Sequence, residues 1–324
     1  MASSSFDTSN QGNTPLISLV VPFFNEADVL ERLLEKLEEI IHFNSGYRWE
    51  LLMIDDGSSD NSLEQLEKVR PSFSAELRLI RLSRNFGHQL ALMAGLDKAT
   101  GDAVIFLDAD LQDPPELITQ FLQKWREGYD VVYGVRNRRE GGVLKKFCYW
   151  IFYRLFQRLA EVQIPLDAGD FGLISRHAVD VIKTMREQDV FLRGMRSWVG
   201  HRQIGIPYDR PNRHAGTTKY TIEHLLKLAS SAFFGYSSVP LRFATLLGLS
   251  SVLLSLIYAS YSLYGKFVIG QNPPGWTSLV MVVLGLGGSQ LVSIGILGEY
   301  VGRTYRQSLN RPLYVVAEDR LMPK

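Results

Sequence analysis

From Phe243 to Gly265 the chain carries no charged side chain, and after Lys266 none follows until Glu299. Residues 243–264 and 277–298 each have the length, roughly 20 apolar residues, that a helix needs to cross a bilayer. Segments of this kind must avoid water, so they are either core helices of a soluble protein or a membrane hairpin. The flanks favour the hairpin. Arg242 precedes the first segment, Arg303, Arg306 and Arg311 follow the second, and the connecting loop holds only Lys266. An excess of Arg and Lys marks the cytoplasmic side, so both ends are expected there and the Asn272-Pro273-Pro274-Gly275-Trp276 loop outside. Gly285, Ser289 and Ser293 recur every four residues, a small-residue stripe suited to close packing within the hairpin or between subunits of a homo-oligomer.

The rest of the 324 residues suffice for one large domain. A net charge of +1 leaves no basic field to attract nucleic acid. The single cysteine, Cys148, excludes a disulfide framework and fits a reducing compartment. Residues 1–14 are Ser-, Asn- and Gly-rich, lack the apolar core of a signal peptide, and read as a flexible tail.

Apolar runs at 17–22, 50–54, 77–82, 103–107 and 131–133 alternate with helical patterns. The clearest of these places Val29, Leu30, Leu33, Leu34, Leu37, Ile40 and Ile41 on one face. Strands alternating with helices predict an α/β domain with a mostly parallel sheet covered on both sides. Ligands bind beyond the carboxyl ends of such strands. Glu26, Asp56 and Asp108 each fall just past a strand, so they are expected on one rim.

Asp108-Ala109-Asp110 sets two carboxylates one residue apart at the end of the fourth strand, placed to share a cation. Oxygen donors suit Mg²⁺ or Mn²⁺ better than zinc. A nicotinamide enzyme does not fit, because the turn Pro22-Phe23-Phe24-Asn25-Glu26 lacks the glycines that cradle a pyrophosphate. An aspartyl-phosphate phosphatase usually carries its acidic pair on the first strand, whereas this pair comes late. His88, His177, His201, His214 and His224 have no metal-ligand spacing and read as structural or surface groups.

Val21-Pro22-Phe23-Phe24-Asn25-Glu26, Ile54-Asp55-Asp56-Gly57-Ser58-Ser59-Asp60 and Asp108-Ala109-Asp110-Leu111-Gln112-Asp113-Pro114 resemble the inverting family-2 glycosyltransferases of GT-A fold. With Arg84-Asn85-Phe86-Gly87, Gly169-Asp170-Phe171, the segment Arg213-His214-Ala215-Gly216-Thr217-Thr218-Lys219-Tyr220 and the apolar hairpin, the chain is similar to the polyisoprenyl-phosphate branch. Within it the likeness is to bactoprenol glucosyltransferases and, more distantly, dolichol-phosphate mannose synthase. The resemblance implies that Pro22, Phe24, Glu26, Ile54, Asp56, Asp108 and Ala109 hold the nucleotide sugar. It implies Asp108, Asp110 and Gln112 for the metal, and Arg136, Arg213 and Lys219 for phosphates. Phe24 stands where a Tyr is common, and Gly194-Met195-Arg196-Ser197-Trp198 lacks the Gln of processive polysaccharide synthases.

The resemblance further implies transfer of a hexose from a UDP-sugar, with UDP-glucose expected, to a polyprenyl phosphate with inversion. GDP-mannose, UDP-N-acetylglucosamine and UDP-aminoarabinose are the competing donors, and a non-catalytic membrane scaffold is the contrasting class. Asp170, with Asp167 and Asp110 beside it, is the catalytic candidate, as a base, an orienting group or a turn cap. On a helical wheel of residues 145–159, Lys146, Arg154, Gln157 and Arg158 share one arc opposite aromatics, which suits a helix in the headgroup plane. The expected layout is a tail (1–14), a catalytic domain (15–220) with that interface helix near 144–160, and a juxtamembrane amphipathic helix (221–240). Two spans (241–302) and a cytoplasmic C-terminal tail (303–324) complete an integral protein of the plasma membrane.

Overall fold

The structure is a computed structural model that describes residues 14–70, 73, 75–136, 165, 168–209, 239–269 and 275–322. The expectations for the tail at 1–13, Cys148, the interface helix, Asp167, Arg213 and Lys219, and nearly all of the juxtamembrane helix lie outside these residues. The described residues form two compact units, one built on the sheet and including the C-terminal segment from Pro312, the other containing two long helices.

The first unit follows the expected alternation: β1 (Leu16–Phe23), α1 (Ala27–Phe43), β2 (Arg48–Asp55), α2 (Ser62–Val69), β3 (Glu76–Leu82), α3 (His88–Lys98), β4 (Ala103–Phe106), α4 (Leu117–Arg126) and β5 (Val131–Arg136). Then come β6 (Ala168–Ser175), α5 (Arg176–Thr184), α6 (Leu192–Trp198) and β7 (Gln203–Tyr208). After the two long helices, β8 (Val316–Leu321) rejoins the unit. The eight strands are ordered β7-β5-β6-β4-β1-β2-β3-β8. β1 to β5 and β7 run one way, and only β6 and β8 run against them.

Strand alternation divides the core between two faces. Ile17, Leu19, Val21 and Phe23 of β1 pack with the buried stripe of α1 and with Ile118 and Phe121 of α4. Val20 packs with Leu52 and Ile54 of β2, with α3, and with Ala178, Val179 and Ile182 of α5 on the opposite face. Helix α3 is buried continuously from Ala91 to Leu96, and its small residues let it lie close to the sheet. A Cβ on Gly95 would stand 2.2 Å from Cγ1 of Val20 and 3.3 Å from Cγ1 of Ile54. Gly95→Ala is therefore expected to destabilise by about 1–2 kcal/mol. Overpacking a stiff β-branched neighbour outweighs the ~1 kcal/mol of helix propensity gained, and a lower melting temperature checks this.

β7 and β8 were not foreseen from the sequence. Val316-Ala317-Glu318-Asp319-Arg320-Leu321 lies in the expected C-terminal tail and looks too charged for a strand, because only one edge of it meets the sheet. Its charges are partnered instead. Asp319 accepts from Arg78 at 2.6 and 2.9 Å and from Lys98 at 2.7 Å, and Arg70 donates to the Met322 carbonyl at 3.1 Å.

The second unit contains α7 (Val239–Tyr264), extended by a π-helical turn at Gly265–Ile269, and α8 (Gly275–Ser308). Both are long and apolar enough to cross a membrane, with mean hydropathy of 1.8 and 2.0 over windows in which nothing is buried. Leu246, Leu253, Leu284 and Leu291 are exposed, as suits side chains facing lipid rather than a protein core. Helix α8 continues past residue 298 because Glu299 and Arg303 pair at 2.9 Å one turn apart. The small-residue stripe is divided between two environments. Ser289 faces Ser251 of α7, with hydroxyls 3.3 Å apart, whereas Gly285 is exposed with open space where a Cβ would be.

Candidate active site

The strand directions assemble one rim. The carboxyl ends of β1, β2, β4 and β5 meet there, and β6, running oppositely, starts there with Ala168-Gly169-Asp170. Glu26, Asp56, Asp108, Arg136 and Asp170 are delivered to that edge by backbone direction alone. Asp170 lies inside β6, in a strand that is buried throughout, rather than in a turn.

The first two turns lock together. Asn25, held at φ 55°, accepts hydrogen bonds on its side-chain oxygen from the Ser59 and Asp60 amides at 2.8 and 3.3 Å. Ser58 and Ser62 hydroxyls accept from the Asn25 and Glu26 amides, both at 3.0 Å. Phe24 and Glu26 are thereby set at the rim, half-buried. Asp56 spends its carboxylate on the next turn, accepting from the Phe86 and Gly87 amides at 2.7 and 2.9 Å. Burial pushes Asp56 up, and those two donors oppose the shift. Gly57 sits at φ 74°, and a Cβ there would lie 2.5 Å from the Arg84 carbonyl carbon, so this crossing requires glycine.

Three of the residues expected to line a nucleotide site are otherwise engaged. Pro22 and Ile54 face each other in register within the sheet, and Ile54 is fully buried against Val20 and Ile80. The Ala109 methyl is buried in the opposite core. These side chains pack in the core at the strand ends.

Asp108 follows β4 with its side chain 27% exposed. Burial pushes its carboxyl up, His88 pulls it down, and the neighbouring Asp113, Asp170 and Asp110 carboxylates push it up again. Its one charged contact among the described residues is His88, whose Nε2 stands 3.4 Å from Oδ1. Asp110 accepts from the Gln112 amide at 3.1 Å, with Leu111 at φ 54° turning the loop between them. Gln112 is buried. No group of three or more His, Cys, Asp or Glu stands together as a ready cation cage among the described residues. The donor set nevertheless fits a hard divalent ion that takes its remaining ligands from a substrate. Two hard oxygen ligands are offered in a locally acidic setting, and Asp108 accepts no hydrogen bond from a donor among the described residues.

Asp170 is held by three side-chain hydrogen bonds. Arg193 of α6 grips both its oxygens at 3.0 Å, and the Gln89 amide donates to Oδ2 at 3.0 Å. Gln89 is itself held by the Leu192 amide, which donates to its Oε1 at 2.9 Å. Burial would raise the Asp170 carboxyl, but Arg193 and His88 hold it well below the usual carboxylate value. Burial likewise depresses the His88 imidazole, and Asp108 and Asp170 outweigh that, raising it to about 9.

Arg136, expected to hold phosphate, is tied to fully buried Asp113 at 3.4 Å and donates to the Tyr208 hydroxyl at 3.1 Å. Tyr208 in turn donates to Asp113. Arg196 lies buried behind Gly169, over the Tyr133 ring at 4.6 Å, with Nε and Nη2 unpaired among the described residues. Burial lowers its guanidinium to about 10. His88, Gln89, Arg193 and Asp113 are the rim residues that sequence reasoning missed. His88 and Gln89 directly follow the Arg84–Gly87 motif, which was the available signal. Asp113 stands within the Asp108–Pro114 motif, which was its signal, whereas Arg193 faces the rim only through the turn of α6.

A parallel-biased sheet with two acids past its fourth strand and a buried Asp at the start of the reversed strand defines a GT-A glycosyltransferase. Residues 18–182 match the family described as Glycosyl transferase family 2, and the chain belongs to it. It is 43% identical to an uncharacterised glycosyltransferase of Synechocystis, over 93% of this chain and 95% of that one. It is also 38% identical to the bactoprenol glucosyl transferase of Shigella phage SfV, over 94% of this chain and 99% of that one. A prophage bactoprenol glucosyl transferase homolog of Escherichia coli matches at 38%, over 93% and 98%.

Proposed function

We propose that this protein is a membrane-anchored inverting hexosyltransferase that moves glucose from UDP-glucose to a polyprenyl phosphate, yielding polyprenyl-phosphate-glucose and UDP. The observation that carries this reading is the extent of the likeness. Similarity to bactoprenol glucosyl transferases runs over 94% of the chain and so includes the two apolar helices, not the catalytic domain alone. A soluble enzyme acting on a protein or glycan would leave those helices without a use, and a scaffold would leave the rim cluster without one.

In the reaction, an oxygen of the acceptor phosphate forms a bond to the anomeric carbon. The bond from that carbon to the diphosphate breaks on the opposite face, and its electron pair leaves with UDP. A phosphate monoester has its second pKa near about 6, so the acceptor is already mostly dianionic at neutral pH and no proton need be removed. That agrees with Asp170, whose carboxylate is held ionised by Arg193 and Gln89 and is suited to orienting neighbours rather than accepting a proton. Asp108 and Asp110, with the loop that Gln112 closes, would hold Mg²⁺ or Mn²⁺, which supplies positive charge to the departing diphosphate. Arg136, fixed by Asp113 and Tyr208, offers a preset guanidinium at the same rim; Arg213 and Lys219 are proposed as further phosphate contacts.

The return of β8 to the sheet supports the proposed topology. A chain that leaves the catalytic unit before α7 and pairs with β3 after α8 must cross the bilayer an even number of times. With both helices read as spans, this connectivity favours both hairpin ends on the catalytic side, and the flanking arginines favour a cytoplasmic location for it. The test is transfer by purified protein in detergent, with polyprenyl phosphate, Mg²⁺ or Mn²⁺, and labelled UDP- and GDP-sugars. Label entering the lipid phase from UDP-glucose and lost with EDTA supports the proposal. Transfer from another sugar corrects the donor, and no lipid product from any donor overturns it.

A further inference from the structure

We propose that His88 is a positioning residue, whose Nε2–H couples the firmly anchored Asp170 to the otherwise unbraced carboxylate of Asp108. The inference rests on the reading of Asp108 as a cation ligand. The two acids differ in support. Asp170 receives three hydrogen bonds, two from Arg193 and one from Gln89. Asp108 receives no side-chain or backbone hydrogen bond among the described residues, and His88 is its only ion-pair contact. Nε2 lies 3.4 Å from Oδ1 of Asp108 and 3.7 Å from Oδ2 of Asp170, so a single nitrogen stands between them.

The backbone beneath His88 is held from both sides. Asp56 binds the amides of Phe86 and Gly87 just before it, and Gln89 just after it bridges Asp170 and the Leu192 amide. The imidazole itself is 41% exposed at the rim, so it contributes little to the core. A donor fixed at its base and standing 3.4 Å from a carboxylate that ligates a metal would orient one oxygen and leave the other for the ion. That role needs only an N–H at Nε2, which both the charged ring and one neutral tautomer provide.

The test compares His88→Ala, His88→Asn and His88→Gln, with Asp108→Asn as control. Glutamine places its amide nitrogen near the position of Nε2, whereas asparagine stops near Nδ1. The readouts are Mn²⁺ affinity in the presence of UDP without acceptor, by calorimetry, and the melting temperature in detergent. Loss of an outer-shell partner typically weakens metal binding by roughly 10–100-fold. His88→Ala and His88→Asn are expected to weaken Mn²⁺ binding to about that degree with melting little changed, and His88→Gln to recover most of it. Unchanged or tighter binding in His88→Ala, or a glutamine variant as weak as alanine, overturns the inference. A large fall in melting temperature in all three makes His88 structural and overturns it as well. If Asp108→Asn also binds Mn²⁺ normally, the cation reading itself has failed; if only His88→Ala binds normally, the failure is confined to His88.

Discussion

Asp108→Asn is expected to reduce kcat/KM for sugar transfer by at least about a hundredfold and up to about a thousandfold, with melting temperature close to that of the parent protein. The size follows from what the carboxylate does in the proposed reaction. Stabilisation of charge that develops on a leaving group is commonly worth on the order of 3–4 kcal/mol per preorganised group, and removing a direct ligand forfeits about that. The unchanged melting follows from the environment of Asp108, where burial and three neighbouring carboxylates push the carboxyl up and make its charge a local burden. An amide there relieves repulsion while filling the same volume. Steady-state transfer with a titration of Mg²⁺ or Mn²⁺, beside a thermal melt, checks both halves. Undiminished turnover would remove Asp108 from the reaction.

Arg193→Met is expected to cost about 3 kcal/mol of stability and most of the activity. Breaking a buried ion pair by deleting one partner typically costs about 3–5 kcal/mol, and the lower end applies because the Arg193 side chain is 30% exposed. Asp170, 5% exposed, would keep Gln89 and His88 but lose both arms of the guanidinium fork. Arg193→Lys should recover only part of the loss, since one ammonium cannot satisfy both oxygens in a plane. The pH dependence has a definite sign. In the folded protein Asp170 titrates well below its ordinary 3.8, so its contribution is fully present above about that pH and is lost as pH falls through the depressed value. The stability gap between parent and Arg193→Met should therefore be constant from neutral pH down to about 4 and narrow below it. A gap that widens on acidification would show that the pair is not what stabilises Asp170.

Much of this molecule is legible in the sequence because its first half is locally coded. The strands that carry Glu26, Asp56 and Asp108 are apolar runs ended by polar turns, and α1 shows its buried stripe in the spacing of Leu30, Leu33, Leu34 and Leu37. The rim was legible because parallel strands bring their ends together regardless of detail. What the sequence hid is long-range. Asp170 and Arg193 meet because α6 folds back over β6, and nothing near either residue announces the other. Ile54 shows the converse, since a motif position two residues before Asp56 is here a core residue with no exposed surface. β8 escaped notice because an edge strand paired on one side tolerates Glu318, Asp319 and Arg320, which a central strand would not.

The late position of β8 also bears on how the molecule is made. Asp319 grips Arg78 across more than two hundred residues of intervening chain, including both long apolar helices. While the polypeptide is being synthesised, the outer edge of β3 is without its eventual neighbour until β8 has been made, after α7 and α8. The sheet of the catalytic unit is thus finished only once the hairpin exists. Chains that stop short of residue 316 expose an unpaired strand edge, the kind of surface that recruits chaperones and invites aggregation.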